Sequence, residues 1–344
     1  MSRAPFMRIA IVKLSALGDV IHALPVARAL RRAMPGAELT WIVEAREHAI
    51  LRDHPDLDAV VPVDTRLWRR LIWRPAGMRQ VLEKIGRLHA RIRHTHFDVA
   101  IDLQGLLKSG VLTAYTGAPV RIGFSASWCH ERLNTLFTNR HVTPPREAVR
   151  VVDQYLSILE PLGIRPGPAE FHIPVPAEAE RRMEEFLVDQ GVKPGDRVVA
   201  INPGAGRVRK QWPLSHFHGL AERLITETGA RVLVLWGPNE EHMARQITLG
   251  LPGHAAMMAP RTDLGDLSAL LSHSSLMIGS DTGPLHLAAA LGTPSLGLYG
   301  PTPAARNAPY GPRCRGLQSP DGTMVALRPG AVFEAACGLL GTAA

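Results

Sequence analysis

The sequence predicts an α/β protein made of two doubly wound domains with parallel sheets. Three observations carry that expectation. Short apolar runs of strand length recur along the 344 residues, amphipathic stretches of helical period separate them, and a Pro/Gly-rich stretch divides them into two sets. Apolar strands that alternate with helices argue for parallel sheets covered on both faces, and 344 residues are enough for two substantial cores.

In chain order, the first set of strand-like runs lies at residues 9–12, 39–43, 59–63 and 99–103, and the second at 198–201, 231–235, 276–278 and 295–298. Helical patterns lie between them at 20–34, 81–92, 216–228 and 264–273, and a last helix is expected at 329–340. The stretch Arg165-Pro166-Gly167-Pro168, followed by Pro174 and Pro176, reads as the linker, giving domains at 1–172 and 173–344. Two such domains are expected to face one another across a cleft. Ligands then belong at the carboxyl ends of the strands.

Composition narrows the class. An apolar fraction of 46% and a charged fraction of 20% are those of a soluble globular protein. No apolar stretch reaches the roughly 18 residues of a spanning helix. A secretory signal is not expected, because Lys13 ends the first apolar run and no convincing A-x-A site follows. Cys129, Cys314 and Cys337 are widely spaced and lack metal-ligand spacing, which suggests reduced thiols in the cytoplasm. The net charge of +8 resides wholly in residues 1–175. Nine basic residues and one acid, with Trp68 and Trp73 between them, fill residues 66–93. That pattern suits an anionic surface or acceptor, or an ordinary solvated helix face. No nucleic-acid-binding motif accompanies the charge, so nucleic acid is not an expected partner.

Two segments carry the chemistry. In Ser280-Asp281-Thr282-Gly283-Pro284-Leu285-His286 an apolar run meets a tight turn and then a helix opening at Pro284, with Thr282 or Gly283 as its cap. Such a joint aims backbone N–H groups and the positive end of a helix dipole at one point, where phosphate can sit. Near the N-terminus, Lys13-Leu14-Ser15-Ala16-Leu17-Gly18-Asp19 runs from the first strand into a helix without the G-x-G-x-x-G of dinucleotide folds. It places the Asp19 carboxylate at the helix start, as a reactive group or simply as a cap.

Together these segments resemble glycosyltransferase family 9, the ADP-heptose:lipopolysaccharide heptosyltransferases. Further matches are Asp98-Val99-Ala100-Ile101-Asp102-Leu103-Gln104-Gly105-Leu106-Leu107-Lys108-Ser109, Lys210-Gln211-Trp212-Pro213 and Leu298-Tyr299-Gly300-Pro301-Thr302. Within the family, Trp41-Ile42-Val43-Glu44 and Val61-Pro62-Val63, followed by Arg66, Trp68, Arg69 and Arg70, look most like the heptosyltransferase I branch. The resemblance implies a GT-B fold with an N-terminal acceptor domain and a C-terminal nucleotide-sugar domain. It also implies inverting transfer from ADP-L-glycero-D-manno-heptose to the Kdo sugar of lipid A, at the cytoplasmic face of the inner membrane. A family 9 enzyme adding a later core heptose, or a non-catalytic basic module that binds lipid or nucleic acid, are the alternatives.

Sugar transfer from a nucleoside diphosphate needs stabilisation of the leaving diphosphate, a base for the acceptor hydroxyl, and alignment of the two. Lys210, His286 and the backbone at Thr282 and Gly283 are candidates for the diphosphate. The chain shows no obvious D-x-D metal motif, so neither metal nor cofactor is expected. Asp19 is the candidate base, with closure of the cleft bringing it to the acceptor. Glu241, or its neighbour Glu240, suits the ribose hydroxyls. Asp281 suits sugar hydroxyls or orientation of the loop. Arg66, Arg69 and Lys108 are candidates for acceptor carboxylate or phosphate.

Overall fold

The computed structural model describes residues 7–65, 92, 95–165 and 167–342. They form two compact units, Met1–Pro174 and Val175–Ala344. The first sheet contains β1 (Arg8–Val12), β2 (Glu38–Glu44), β3 (Ala59–Val63), β4 (Val99–Asp102), β5 (Val120–Phe124) and β6 (Arg140–Val142). Its order is β3-β2-β1-β4-β5-β6, and every ladder is parallel. The second sheet contains β7 (Val198–Asn202), β8 (Arg231–Val234), β9 (Ala256–Met258), β10 (Leu276–Ser280), β11 (Ser295–Tyr299) and β12 (Cys314–Gln318), ordered β12-β11-β10-β7-β8-β9 and again parallel. Counted within its own unit, each sheet has the same doubly wound order. Its winding reverses between β1 and β4 in one unit and between β7 and β10 in the other. Ligands of such sheets bind beyond the strand ends at that reversal.

All eight strands read from the apolar runs are present, most extended by a residue or two. Four strands escape that reading. Val120–Phe124 contains Arg121 and Gly123, Arg140–Val142 and Ala256–Met258 are three residues long, and Cys314–Gln318 is half polar. These strands occupy the outer positions of the sheets, where one side needs less apolar cover. The helix expected at 81–92 falls almost wholly outside the described residues.

The described helices are α1 (Leu17–Ala33), α2 (Leu107–Tyr115), α3 (Val151–Leu156), α4 (Ala177–Asp189), α5 (Leu214–Thr228), α6 (Glu241–Thr248), α7 (Leu264–Ser272), α8 (Gly283–Ala290), α9 (Ala304–Asn307) and α10 (Pro329–Leu340). In the second unit Trp212 stacks edge-on against Phe217 at 4.8 Å and donates from Nε1 to the Leu327 carbonyl at 2.9 Å. Val332, Phe333, Ala336 and Cys337 carry α10 into this same core. The C-terminal segment therefore completes the second unit through β12 and α10. No helix among the described residues is long and apolar enough to cross a membrane.

Candidate active site

In the second unit the winding reversal brings together the loops after β7 and β10. After β7, the turn at Asn202, Pro203 and Gly204 leads into a short 3-10 turn, Val208–Lys210, that turns Lys210 back toward the sheet edge. After β10, Asp281 and Thr282 precede α8, which begins at Gly283 with Pro284 in its first turn. Asn202 ties the loops by donating from Nδ2 to the Thr282 hydroxyl at 3.2 Å. Thr282 occupies the N-cap position, but its hydroxyl donates to the Ser280 carbonyl at 3.1 Å, and no side chain caps the helix. An uncapped helix start leaves backbone N–H groups for an anion.

Asp281 sits between Lys210 and His286, two of the residues expected at the diphosphate. Lys210 Nζ donates to its Oδ2 at 2.7 Å, and His286 Nε2 lies 3.1 Å from its Oδ1. His286 is buried, whereas Lys210 keeps partial access to solvent. Burial alone would raise the Asp281 carboxyl, but His286 and Lys210 outweigh it and hold the group well below the usual carboxylate range. A carboxyl depressed in this way stabilises the fold above the ordinary carboxylate pKa and loses that contribution as the pH falls below it. Of the two roles expected for Asp281, the geometry is that of an orienting group, since Lys210 and His286 each engage one of its oxygens.

The two candidate acids after β8 are set apart by their partners. Glu241, in the first turn of α6, pairs with Arg245 at 2.6 Å on the exposed face of the helix. Glu240 accepts from the Gly237 N–H at 3.0 Å and lies over Gly204, where a Cβ would meet its Oε2 at 2.3 Å. Glu240, and not Glu241, is therefore the acid against the loops at the strand ends.

In the first unit, the peptide before α1 has a supporting frame that motif reading did not assign. Asp19 lies in the first turn of α1 and accepts the Ala16 N–H at 3.2 Å on Oδ2; its other oxygen has no hydrogen bond among the described residues. Gln104 Oε1 accepts from the Leu14 and Ser15 N–H groups at 3.0 and 3.1 Å, so the loop after β4 fixes the loop after β1. Beneath them, Lys13 is buried. It donates to the Leu103 carbonyl at 3.1 Å and to the Tyr155 hydroxyl at 2.7 Å. Burial lowers its pKa, yet Tyr155, Asp19 and Asp102 together outweigh that and hold the ammonium above its ordinary value.

Asp102 is fully buried. Its oxygens accept from the Gln104 and Gly105 N–H groups, the Ser109 hydroxyl and Asn134 Nδ2, at 2.7–3.1 Å. Burial pushes this carboxyl up and the four donors oppose the rise. Lys13, Asp102 and Gln104 all lie within the quoted motifs. A charged or amide group closing an apolar strand was the signal that could have marked them.

Lys108 is not a solitary cation. Its Nζ lies 3.3 Å from Glu44 Oε1 and 3.4 Å from the Thr65 hydroxyl, which itself donates to Glu44. An anionic acceptor group would meet this ion pair and not a bare ammonium. Arg66 and Arg69 lie outside the described residues. The sequence does contain one D-x-D string that the motif reading passed over, Asp56-Leu57-Asp58, but its acids have structural partners: Arg28 and His172 face Asp56, while Arg31 and the Leu39 N–H bind Asp58. Among the described residues the metal-capable group is Glu180, Glu184 and His273, carried by α4 and the end of α7 and not by the loops around Asp281.

Comparison with known proteins addresses the family and the fold. The sequence profile of Glycosyltransferase family 9 (heptosyltransferase) matches residues 85–334. Lipopolysaccharide heptosyltransferase 1 of Pseudomonas aeruginosa is 32% identical over 308 residues, covering 89% of this chain and 82% of that protein. The structure of the Escherichia coli heptosyltransferase WaaC with ADP superposes with a TM-score of 0.81 at 26% identity, covering 97% of this chain and 100% of that one. WaaC with ADP-2-deoxy-2-fluoro heptose gives a TM-score of 0.78 at 26% identity, covering 95% and 98%. A fold of two parallel, doubly wound sheets, matched nearly end to end by a GT-B heptosyltransferase, and a profile spanning most of the sequence lead to one assignment: the chain is a glycosyltransferase and belongs to glycosyltransferase family 9.

Proposed function

We propose that this enzyme transfers heptose, with inversion, from ADP-L-glycero-D-manno-heptose to the Kdo sugar of the lipopolysaccharide inner core. The observation that carries the donor half is the Lys210–Asp281–His286 group beside the uncapped start of α8. Lys210, His286 and the backbone at Thr282 and Gly283 stabilise the diphosphate as charge grows on it. Asp281 holds Lys210 and His286 in place. Glu240 takes the ribose hydroxyls, because Glu241 is turned toward Arg245.

Asp19 removes the proton from the acceptor hydroxyl. Its unoccupied carboxylate oxygen is the acceptor for that proton, and transfer late in bond formation needs only a weak base. Inversion then requires one displacement at the anomeric carbon and no sugar–enzyme intermediate. Arg66 and Arg69, with the Lys108–Glu44 pair, meet the acidic acceptor at the cytoplasmic face of the inner membrane, and the basic stretch 66–93 favours that anionic surface.

The decisive assay measures ADP release with ADP-heptose and Kdo-lipid A. Transfer to Kdo-lipid A supports the reading; transfer only to an acceptor that already carries heptose replaces it with a later core enzyme. Lys210 and the helix start serve the role a divalent ion would otherwise fill, so excess EDTA is expected to change the rate less than twofold. A strict requirement for added Mg²⁺ would refute that division of labour. Arg66→Ala/Arg69→Ala is expected to raise the acceptor KM about tenfold or more, at an unchanged donor KM, since a charge-assisted bond is worth roughly 1.5–3 kcal/mol. An unchanged acceptor KM removes both arginines from the acceptor site.

A further inference from the structure

Five of the large apolar side chains exposed among the described residues gather in one region of the first unit: Leu107, Val111, Trp128, Leu133 and Leu136. Leu136 is 75% exposed, Leu133 60% and Val111 51%. Leu107 and Val111 stand one turn apart on α2 and so share a face. Leu133 and Leu136 belong to a 3-10 turn, Arg132–Phe137, that packs directly on that helix. Asn134 Nδ2 donates to the Leu106 carbonyl at 2.8 Å, and a Cβ at Gly110 would come within 2.7 Å of the Phe137 ring. The helix and the turn that carry four of these side chains are therefore directly adjoining, on a frame anchored by Asp102 through Asn134.

The rim of this surface is basic. Arg132, His130 and Arg140 are exposed, and the Arg132 guanidinium has no hydrogen bond or ion pair among the described residues. The acid there, Glu131, is engaged by the Leu107 N–H at the start of α2. Exposed apolar side chains, an exposed tryptophan four residues before Arg132 and exposed cations among the described residues match the requirements of a bilayer interface. Acyl chains accept the leucines, the indole suits the headgroup level, and arginine meets lipid phosphate.

We propose that this face docks on an anionic lipid bilayer, with Val111, Leu133 and Leu136 inserted below the headgroups and Arg132 on a lipid phosphate. The proposal names the surface that a lipid-linked acceptor calls for, and it rests on the reading above for its purpose only. Its position fits that purpose. The helix α2 begins at the carboxyl edge of the first sheet, and Gln104, three residues before Leu107, holds the loop that leads to Asp19.

The test is co-sedimentation with phosphatidylglycerol-containing vesicles and with phosphatidylcholine vesicles. Leu133→Ser/Leu136→Ser is expected to weaken partition to the anionic vesicles about 100-fold, or about tenfold for each leucine withdrawn. Leu249→Ser/Val188→Ser, which removes equally exposed side chains of the second unit, is expected to leave partition unchanged. Arg132→Glu is expected to weaken partition and flatten its salt dependence. Full vesicle binding by the double leucine variant overturns the proposal. So does a wild-type dimer that this variant converts to monomer without any change in vesicle binding, since the face is then a contact between copies of the chain. Transfer to a delipidated, soluble acceptor separates the two claims: its absence from the wild type defeats the enzymatic reading alone, whereas the docking claim stands or falls on the vesicles.

Discussion

Asp19→Ala is expected to lower turnover by about 10²–10⁴-fold, the usual cost of losing a general base, while ADP affinity stays within error of wild type. The separation follows from where the residue is held. Asp19 belongs to the first unit, at the start of α1, and every residue assigned to the diphosphate belongs to the second. Asp19→Asn keeps the bond from the Ala16 N–H through its amide oxygen but offers no basic oxygen, so it is expected to be as inactive as the alanine variant. Calorimetry with ADP and single-turnover rates on both variants decide the matter. An asparagine variant with near-normal rate would make Asp19 a cap and return the base role to another group.

The second large effect is expected at Lys210. Lys210→Ala should weaken ADP binding and slow transfer by about 10²–10³-fold, the range seen when one donor to a developing anion is removed. Asp281→Ala should slow transfer comparably but leave ADP affinity equal or improved, because it frees Lys210 and His286 of a competing carboxylate while losing their placement. Since Lys210 and Asp281 are 2.7 Å apart and act as a unit, the double variant should cost little more than Lys210→Ala alone. Strictly additive losses would mean that the two residues work independently, and unchanged ADP affinity in Lys210→Ala would remove that lysine from the donor site.

Much of this was legible from the sequence because parallel sheets advertise themselves. Strands buried on both faces must be continuously apolar, and all eight such runs are strands. The outer strands were hidden for the same reason: Arg121 or Arg315 in a five-residue segment breaks the run, and only pairing with a neighbour makes it a strand. At the candidate site, motif order placed Asp19, Lys210, Asp281 and His286 at strand ends. It could not say that Asp281 grips Lys210, because residues 71 positions apart meet only through the crossover between β7 and β10. Glu240 and Glu241 were indistinguishable as neighbours; the turn of α6 sends one to Gly237 and the other to Arg245. The Lys108–Glu44 pair likewise joins two motifs that sequence reading treated separately.

The grip of Asp281 on Lys210 and His286 also bears on the end of the catalytic cycle. On the proposed donor assignment, departure of the diphosphate leaves neither Lys210 nor His286 bare, because the Asp281 carboxylate already partners both. Incoming nucleotide would then share both groups with this tethered rival, which trims ground-state affinity. Product inhibition by ADP is accordingly expected to be weaker than Lys210 and His286 would impose without the aspartate.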